Sequence, residues 1–437
     1  MENAVWWPIV TCVIAALVTI LMCRRRGWLG LPVAYMLNFL LIHVPGAYAA
    51  GLGATGYFTR DIGIIATGIR LTAIASVCFV AGLLLAQRLS KAGMRGEAPT
   101  PVPRSFFLFC VIGGWVVAIA LTPLKAIPSV GAAVVFGSSI WMLGVLLGLL
   151  GAMSARQVGR FLTWSAALLV YPLVVLIFGG FIGYGASAIL TIFAILLVHL
   201  RSKFIALLIA PVILFLGISI FVNYFENRSA LRDVLWSTPT FDERIEALGD
   251  TFGDFRLFDP DRPGHLKALT LRLNQNEFVG IAAKRLENGE VDFLHGRSLF
   301  EGLVAVVPRA IWPDKPVYGG SPAVVSEMTG LRFNNNTSWG VGNVMEFYIN
   351  FGLPSLVFGF VLLGLFIGWL DRRAYLFLVN GRPGDSLLYF LPGVALIQPN
   401  GSLVELTGGA AAALAAAFGW RYLWLNSRRR AGAQHRP

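Results

Sequence analysis

Charged residues are scarce in this chain of 437 residues: 13% are Asp, Glu, Lys or Arg, against 56% that are apolar. Soluble proteins carry roughly 25% charged residues, so the composition excludes an ordinary soluble domain. Cysteine is also rare. The four cysteines lie in or beside apolar runs and form no Cys-x-x-Cys pair, which argues against a zinc site and favours small apolar core residues.

Common catalytic motifs are missing as well. The five histidines include no His-Glu-x-x-His, which argues against zinc hydrolysis. The chain has no Gly-x-x-x-x-Gly-Lys-Ser/Thr loop for ATP and no Gly-x-Ser-x-Gly nucleophile motif. We therefore expect neither a cofactor nor a metal. Negative charge on a leaving group would then have to be stabilised by Arg and Lys.

Long apolar runs are what the sequence does contain. A membrane helix needs about 20 apolar residues, and this length predicts about eleven transmembrane helices. No small-residue cleavage site follows the first run, so we interpret it as a span and not as a signal peptide. The run at 386–399 is short and also fits a half-helix. The predicted spans are residues 4–22, 28–50, 62–85, 105–122, 127–151, 161–179, 182–199, 204–222, 344–370, 386–399 and 403–425.

The net charge of +12 reflects membrane orientation and does not indicate nucleic acid. Residues 223–343 hold 13 Lys/Arg and 16 Asp/Glu, whereas the rest of the chain holds 22 and 7. The excess positive charge falls in alternate short loops, as the positive-inside rule requires for cytoplasmic loops. We predict a multi-pass protein of the bacterial inner membrane with a periplasmic N-terminus and a cytoplasmic C-terminus.

This topology divides the chain into four predicted parts. They are a bundle of about eight spans (1–222), a large periplasmic loop (223–343), about three C-terminal spans (344–425) and a basic cytoplasmic tail (426–437). The loop contains amphipathic patterns near 241–253, 265–273 and 276–287. Because their apolar sides need cover, we expect these helices to lie on or against the outer face of the bundle.

The stretch VVPRAIWPDKPVYGG (306–320) places charged and aromatic residues between three prolines. Prolines fix φ and stop helix propagation, and Trp312 suits a membrane–water boundary. We expect this segment to hold Arg309 at the depth of lipid headgroups, with Lys315 nearby. A guanidinium group matches phosphate oxygens, so the segment is typical of a site for a lipid-linked phosphate or diphosphate.

A second cation lies within a predicted span. Arg70 is about 12 Å from the outer end of span 62–85 at 1.5 Å per residue. A charge at that depth is costly and normally faces a polar cavity. An ion pair with Glu346 or Glu405, which lie near the outer ends of their spans, is an equally good interpretation.

Residues 270–370 resemble the Wzy-type polymerases of bacterial O-antigen and exopolysaccharide repeat units. The motifs that carry the resemblance are RLNQNEF (272–278), GRSLFEGL (296–303), VPRAIWPDKP (307–316) and NTSWGVGNVMEFYINFGLPS (336–355). The resemblance implies an all-α polytopic membrane protein, a GT-C-like bundle with one large helical periplasmic loop. It also implies a metal-independent glycosyltransferase that polymerises oligosaccharides linked to undecaprenyl diphosphate in the membrane. A flippase and a chain-length regulator of the same pathway are its implied partners.

The resemblance also assigns roles to residues. Arg272 and Arg309 would bind the diphosphate, and Glu346 would activate or orient the acceptor hydroxyl. Residues expected to contact substrate are Lys315, Arg297, Trp312, Tyr348 and Asn350, with Trp339 as a second ring for stacking on sugars. Arg70 is added to them because of its depth in span 62–85.

Alternatives remain at two points. Glu301, His265 and His295 are alternative bases. For the function itself, the alternatives are a ligase of the O-antigen type, which joins finished glycan to another acceptor, and then a flippase or exporter of the lipid-linked sugar. A flippase predicts a path lined with cations through the bundle, and the sequence places few charges there.

Overall fold

The computed structural model describes residues 3–89, 100–121, 123–124, 127, 130–179, 182–200, 202–237, 240–309, 311–316, 321–333 and 339–433. Regular structure in these ranges is helical, without a strand, so the predicted all-α class is confirmed. The helices are α1 (Asn3–Cys23), α2 (Leu31–Gly51), α3 (Ile62–Leu89), α4 (Arg104–Ala120), α5 (Val130–Ser138), α6 (Ile140–Ser154), α7 (Val158–Gly179), α8 (Ile182–His199), α9 (Lys203–Trp236), α10 (Phe241–Gly253), α11 (Pro263–Arg272), α12 (Gln275–Glu287), α13 (Arg297–Ala305), α14 (Ser321–Thr329), α15 (Asn343–Phe351), α16 (Leu353–Val379), α17 (Pro383–Leu396) and α18 (Leu403–Ala433).

Several of these helices are suited to a membrane. Within the described ranges, six segments are long and apolar enough to cross one, judged by length and composition: Ala4–Cys23, Leu31–Gly51, Ile62–Leu89, Val130–Ser154, Leu353–Val379 and Leu403–Arg430. Apolar side chains are exposed along single faces, for example Val10, Ile14, Leu17 and Leu21 on α1. Such a stripe at helical spacing fits contact with lipid. The chain is therefore membrane-embedded, with six such segments where the sequence predicts about eleven spans.

Two of the differences between predicted spans and helices affect the region of the predicted loop. The span predicted at 344–370 consists of α15 and α16, separated by Gly352 with φ 68°. That conformation favours glycine, and it interrupts the helix. The span predicted to end at residue 222 continues as α9 to Trp236, because Leu231 and Leu235 are buried in a cluster that includes Leu176 of α7. The predicted border between bundle and loop at 222–223 thus falls inside a helix.

The predicted amphipathic segments of the loop are helical, as α10, α11 and α12, but α12 is not on the outer face. It packs closely along α3 because each of the two helices has a glycine that faces the backbone of the other helix. A Cβ atom on Gly68 of α3 would overlap the backbone of Asn276, and one on Gly280 of α12 would overlap the carbonyl of Ile64. Small residues permit this approach between membrane helices. Helix α12 is consequently part of the core of the bundle.

One end of the bundle, called here the loop end, is where segment 52–61 meets α11 and α12. The opposite end is fixed by Asp371 of α16, whose carboxylate accepts hydrogen bonds from the N–H groups of Leu29, Gly30 and Leu31 at 2.9, 2.8 and 2.7 Å. A carboxylate at a helix N-terminus satisfies donors that the helix leaves unpaired. Because α2 starts at this end, its last turn reaches the loop end.

Candidate functional site

Arg272, the last residue of α11, stacks on an aromatic ring at the loop end. Its guanidinium carbon lies 4.2 Å from the centre of the Trp339 ring. That ring is itself held by Phe58, Phe278 and Phe333, with centroid distances of 5.7, 5.2 and 5.9 Å. A cation over an indole face is attracted by the ring quadrupole. Arg272 is therefore oriented by a packed aromatic group contributed by three different segments.

Two further arginines, Arg228 and Arg232, lie in the part of α9 that continues beyond residue 222. Their charges affect the pKa of Arg272. The pKa of Arg272 is lowered to about 10, first by burial, then by the charges of Arg228 and Arg232, while Tyr224 opposes the shift. At that pKa the guanidinium remains charged at neutral pH. We call Arg228, Arg232 and Arg272 the arginine cluster. Several cations brought together in a partly buried place create a potential that favours an anion.

The fold of α9 explains how the arginine cluster forms. Tyr224, Arg228 and Arg232 are four residues apart and so share one face of the helix. The Nη2 atom of Arg232 donates a hydrogen bond to the Tyr224 hydroxyl oxygen at 3.2 Å. The sequence interpretation missed both arginines because it ended the helix at residue 222. The regular spacing of Tyr224, Arg228 and Arg232 was the signal that could have revealed them.

Arg309 lies in the segment that follows α13. Its side chain is exposed, and its Nη1 atom donates to the carbonyl of Pro313 at 3.0 Å. Lys315 donates to the carbonyls of Ala305 and Val307 at 3.2 and 2.7 Å, which satisfies acceptors at the end of α13. The segment around Arg309 thus bonds to its own backbone and to α13. The joint site of Arg272 and Arg309 stays a prediction.

Glu346 is buried in α15, which precedes the candidate membrane-spanning segment that begins at Leu353. Its Oε2 atom accepts a hydrogen bond from the N–H of Leu403 at 2.6 Å. Asn350, one turn later, donates to the Ser298 hydroxyl oxygen at 2.8 Å, and Ser298 bonds to Glu346. The pKa of Glu346 is raised to about 8, mainly by burial, and also by Glu405 and Glu301. The carboxyl group is therefore poised to gain or lose a proton near neutral pH.

Glu405, one of the two expected partners of Arg70, is engaged elsewhere. It accepts from the N–H of Ser402 at 2.9 Å, while its own N–H donates to the Ser402 hydroxyl oxygen at 3.2 Å. These reciprocal bonds form a capping box at the start of α18. Arg70 is exposed on α3, on the same face as the exposed apolar residues Ile74 and Val77. The structure thus places Arg70 on an apolar outer surface.

The remaining predicted residues occupy varied surroundings. Arg297 pairs with Glu327 on the surface, Trp312 is exposed and Tyr348 is half-buried. His265 is fully buried and its Nδ1 atom accepts from the N–H of Asp259 at 3.0 Å.

His295 is exposed and has a φ of 46°. In the part of the chain that the structure describes, no group of three or more His, Cys, Asp or Glu side chains is arranged to hold a metal ion. The candidate site thus combines arginines with three buried carboxyl groups among the described residues, those of Glu277, Glu301 and Glu346.

The family model described as a domain of unknown function, DUF8712, matches residues 52–378. Comparison with curated proteins and with solved structures gives no match. The matched range contains the arginine cluster, Trp339 and Glu346. Because it covers most of the sequence, the chain belongs to the DUF8712 family.

Proposed function

We propose that this protein is a glycosyltransferase that polymerises oligosaccharide repeat units linked to undecaprenyl diphosphate at the periplasmic face of a bacterial inner membrane. The arginine cluster is the observation that carries the proposal. Its guanidinium groups would bind the diphosphate of the donor, because planar N–H forks match phosphate oxygens. The resemblance of residues 270–370 to Wzy-type polymerases supports the same chemistry, within a GT-C-like bundle of about eleven spans.

The reaction needs few groups from the protein. The donor sugar is already activated by its diphosphate, so the protein must align donor and acceptor, accept a proton and stabilise the leaving anion. The arginine cluster supplies the last of these roles. Glu346 is our candidate base, while Arg309 and Lys315 are candidates for contact with lipid headgroups near the donor.

A deletion strain tests the proposed function. We expect it to accumulate undecaprenyl diphosphate carrying one repeat unit, identified by mass spectrometry, and to recover long glycan when the wild-type gene is restored. Accumulated long polymer on undecaprenyl diphosphate would instead assign a ligase. A single repeat unit confined to the cytoplasmic leaflet would assign a flippase, and an unchanged lipid profile would refute all three functions.

The role of Glu346 predicts a pH dependence. A base must be in its carboxylate form, and with a pKa of about 8 Glu346 is mostly protonated at lower pH. We expect kcat/KM for glycan transfer to rise about tenfold per pH unit from pH 6 to 7 and to level off above pH 8. The measurement is transfer between purified lipid-linked repeat units over pH 6–9.

Glu346→Gln is the matched variant, since it keeps the size of the side chain and removes the titration. It should lose most of the activity and show no rise with pH. If Glu346 only anchors the start of α18, Glu346→Gln will lower the unfolding temperature, and the pH profile of the variant will have the same shape as that of the wild type. A wild-type profile that is flat between pH 6 and 9 would exclude Glu346 as the base.

A further inference from the structure

Two buried amide side chains follow Arg272 closely in the chain and retain polar atoms without hydrogen-bond partners among the described residues. Asn274 is 5% exposed and Gln275 is 7% exposed. The Nδ2 and Oδ1 atoms of Asn274 and the Oε1 atom of Gln275 have no partner there. Buried amide groups in native proteins are nearly always hydrogen-bonded, to protein, water or ligand. These atoms therefore point to a polar occupant.

The surrounding backbone keeps both amides in place. The N–H of Gly46 in α2 donates to the carbonyl of Leu273 at 3.0 Å, and a Cβ atom on Gly46 would overlap Asn274. Asn274 is thus wedged between α2 and the start of α12. On the other side, the Nε2 atom of Gln275 donates to the carbonyl of Gly340 at 3.4 Å. Neither side chain can turn outward without breaking this packing.

The amides lie between the two groups that the proposed reaction uses. Gly340, which accepts from Gln275, directly follows Trp339, on which Arg272 stacks. The Oε1 atom of Gln275 would lie 3.4 Å from a Cβ atom built on Gly342, the residue that caps the start of α15. Helix α15 carries the candidate base one turn further on. The amides thus lie between Trp339, on which Arg272 stacks, and the start of α15.

The free atoms indicate what kind of group fits. They comprise one donor group and two acceptors, and hydroxyl groups can both donate and accept. A second anion would fit poorly, because carboxamide oxygens would repel it. The Cα atoms of residues 272 and 274 are at most about 7 Å apart, which allows the two side chains to contact adjacent parts of one ligand. A neutral sugar joined directly to a phosphate meets these conditions.

We propose that Asn274 and Gln275 form the subsite for the sugar unit attached directly to the diphosphate, an inference that rests on the proposed function. The arginine cluster would bind the diphosphate of any donor lipid. The two amides would determine which first sugar is accepted, through hydrogen bonds to its hydroxyl groups.

Binding of two lipids to the purified full-length protein tests this subsite. The probes are undecaprenyl diphosphate without sugar and the lipid-linked oligosaccharide isolated from the deletion strain. Gln275→Leu and Asn274→Ala should each weaken binding of the oligosaccharide lipid about tenfold, the effect of one lost hydrogen bond. Both variants should bind undecaprenyl diphosphate like the wild type, whereas Arg228→Ala should bind both lipids more weakly.

Asn288→Ala is the matched control, because Asn288 caps the other end of α12 and bonds at the surface to Glu290. It should change neither affinity. Since Asn274 also begins α12, its variant could unfold, and in that case Gln275→Leu alone decides. Equal weakening of both lipids by Gln275→Leu, or no weakening at all, would overturn the sugar subsite and leave the proposed function standing. Failure of the wild type to bind either lipid would instead refute the proposed function.

Discussion

Arg272→Ala should lower the rate of glycan polymerisation about 100-fold, the usual effect of removing a group that stabilises charge in a transition state. Arg272 is the member of the arginine cluster that is fixed by a stack on Trp339, at 4.2 Å. Without it, the leaving diphosphate loses a preorganised cation, and the two remaining arginines must bind it from α9 alone. Elongation of purified lipid-linked repeat units, followed by gel electrophoresis of the products, measures the loss.

Two further variants test whether the loss of activity is specific to the guanidinium group of Arg272. Arg256→Ala removes an exposed arginine from the segment between α10 and α11, and we expect normal elongation. Arg272→Lys retains a charge but loses the planar fork and the stack, so it should fall between the wild type and Arg272→Ala. Normal product ladders from Arg272→Ala, in protein with an unchanged unfolding temperature, would remove the arginine cluster from the reaction.

The membrane helices could be predicted from the lengths of the apolar runs. Apolar runs of about 20 residues have few other uses, and span 182–199 coincides with α8 while span 62–85 lies within α3. The end of α9 was missed for a tertiary reason. Polarity rises after residue 222, but the helix continues because Leu231 and Leu235 find cover against α7 and α10. Hydropathy of one segment does not contain that information.

The candidate site was predictable in part. Arg272 and Glu346 were selected from motifs, and each lies in a group of interacting polar residues. Arg309 was selected because prolines make its segment stiff. Stiffness, however, does not decide which atoms a side chain meets, and Lys315 and Arg309 bond to nearby backbone carbonyls. The site depends on contacts between distant segments, which the sequence of one segment cannot specify.

Glu277→Ala should destabilise the protein by about 3 kcal/mol, the second large effect that the structure predicts. The Glu277 carboxylate accepts hydrogen bonds from the N–H groups of Tyr57, Phe58 and Thr59, at 3.1, 2.6 and 2.6 Å. Hydrogen bonds to charged groups contribute about 1.5–3 kcal/mol each, and the freed donors are only partly buried, so water compensates for some of the loss. Thermal unfolding in detergent measures the change.

Glu290→Ala is the control for this variant. Glu290 lies three residues after the end of α12, the helix that contains Glu277, and pairs with Arg285 at the surface. An ion pair at the surface contributes at most about 1 kcal/mol. An unfolding temperature of Glu277→Ala equal to that of Glu290→Ala would show that the three hydrogen bonds do not hold segment 57–59.

Loss of the hydrogen bonds to Glu277 should also disturb the arginine cluster. Phe58, one of the residues that Glu277 holds, packs at 5.7 Å from the centre of the Trp339 ring, and that ring orients Arg272. Releasing segment 57–59 would loosen the ring and weaken binding of undecaprenyl diphosphate at temperatures where the variant is still folded. Phe58→Leu separates the two effects, since it leaves the hydrogen bonds to Glu277 intact. If Phe58→Leu binds the lipid normally while Glu277→Ala does not, the coupling runs through the backbone of segment 57–59 and not through the contact between Phe58 and Trp339.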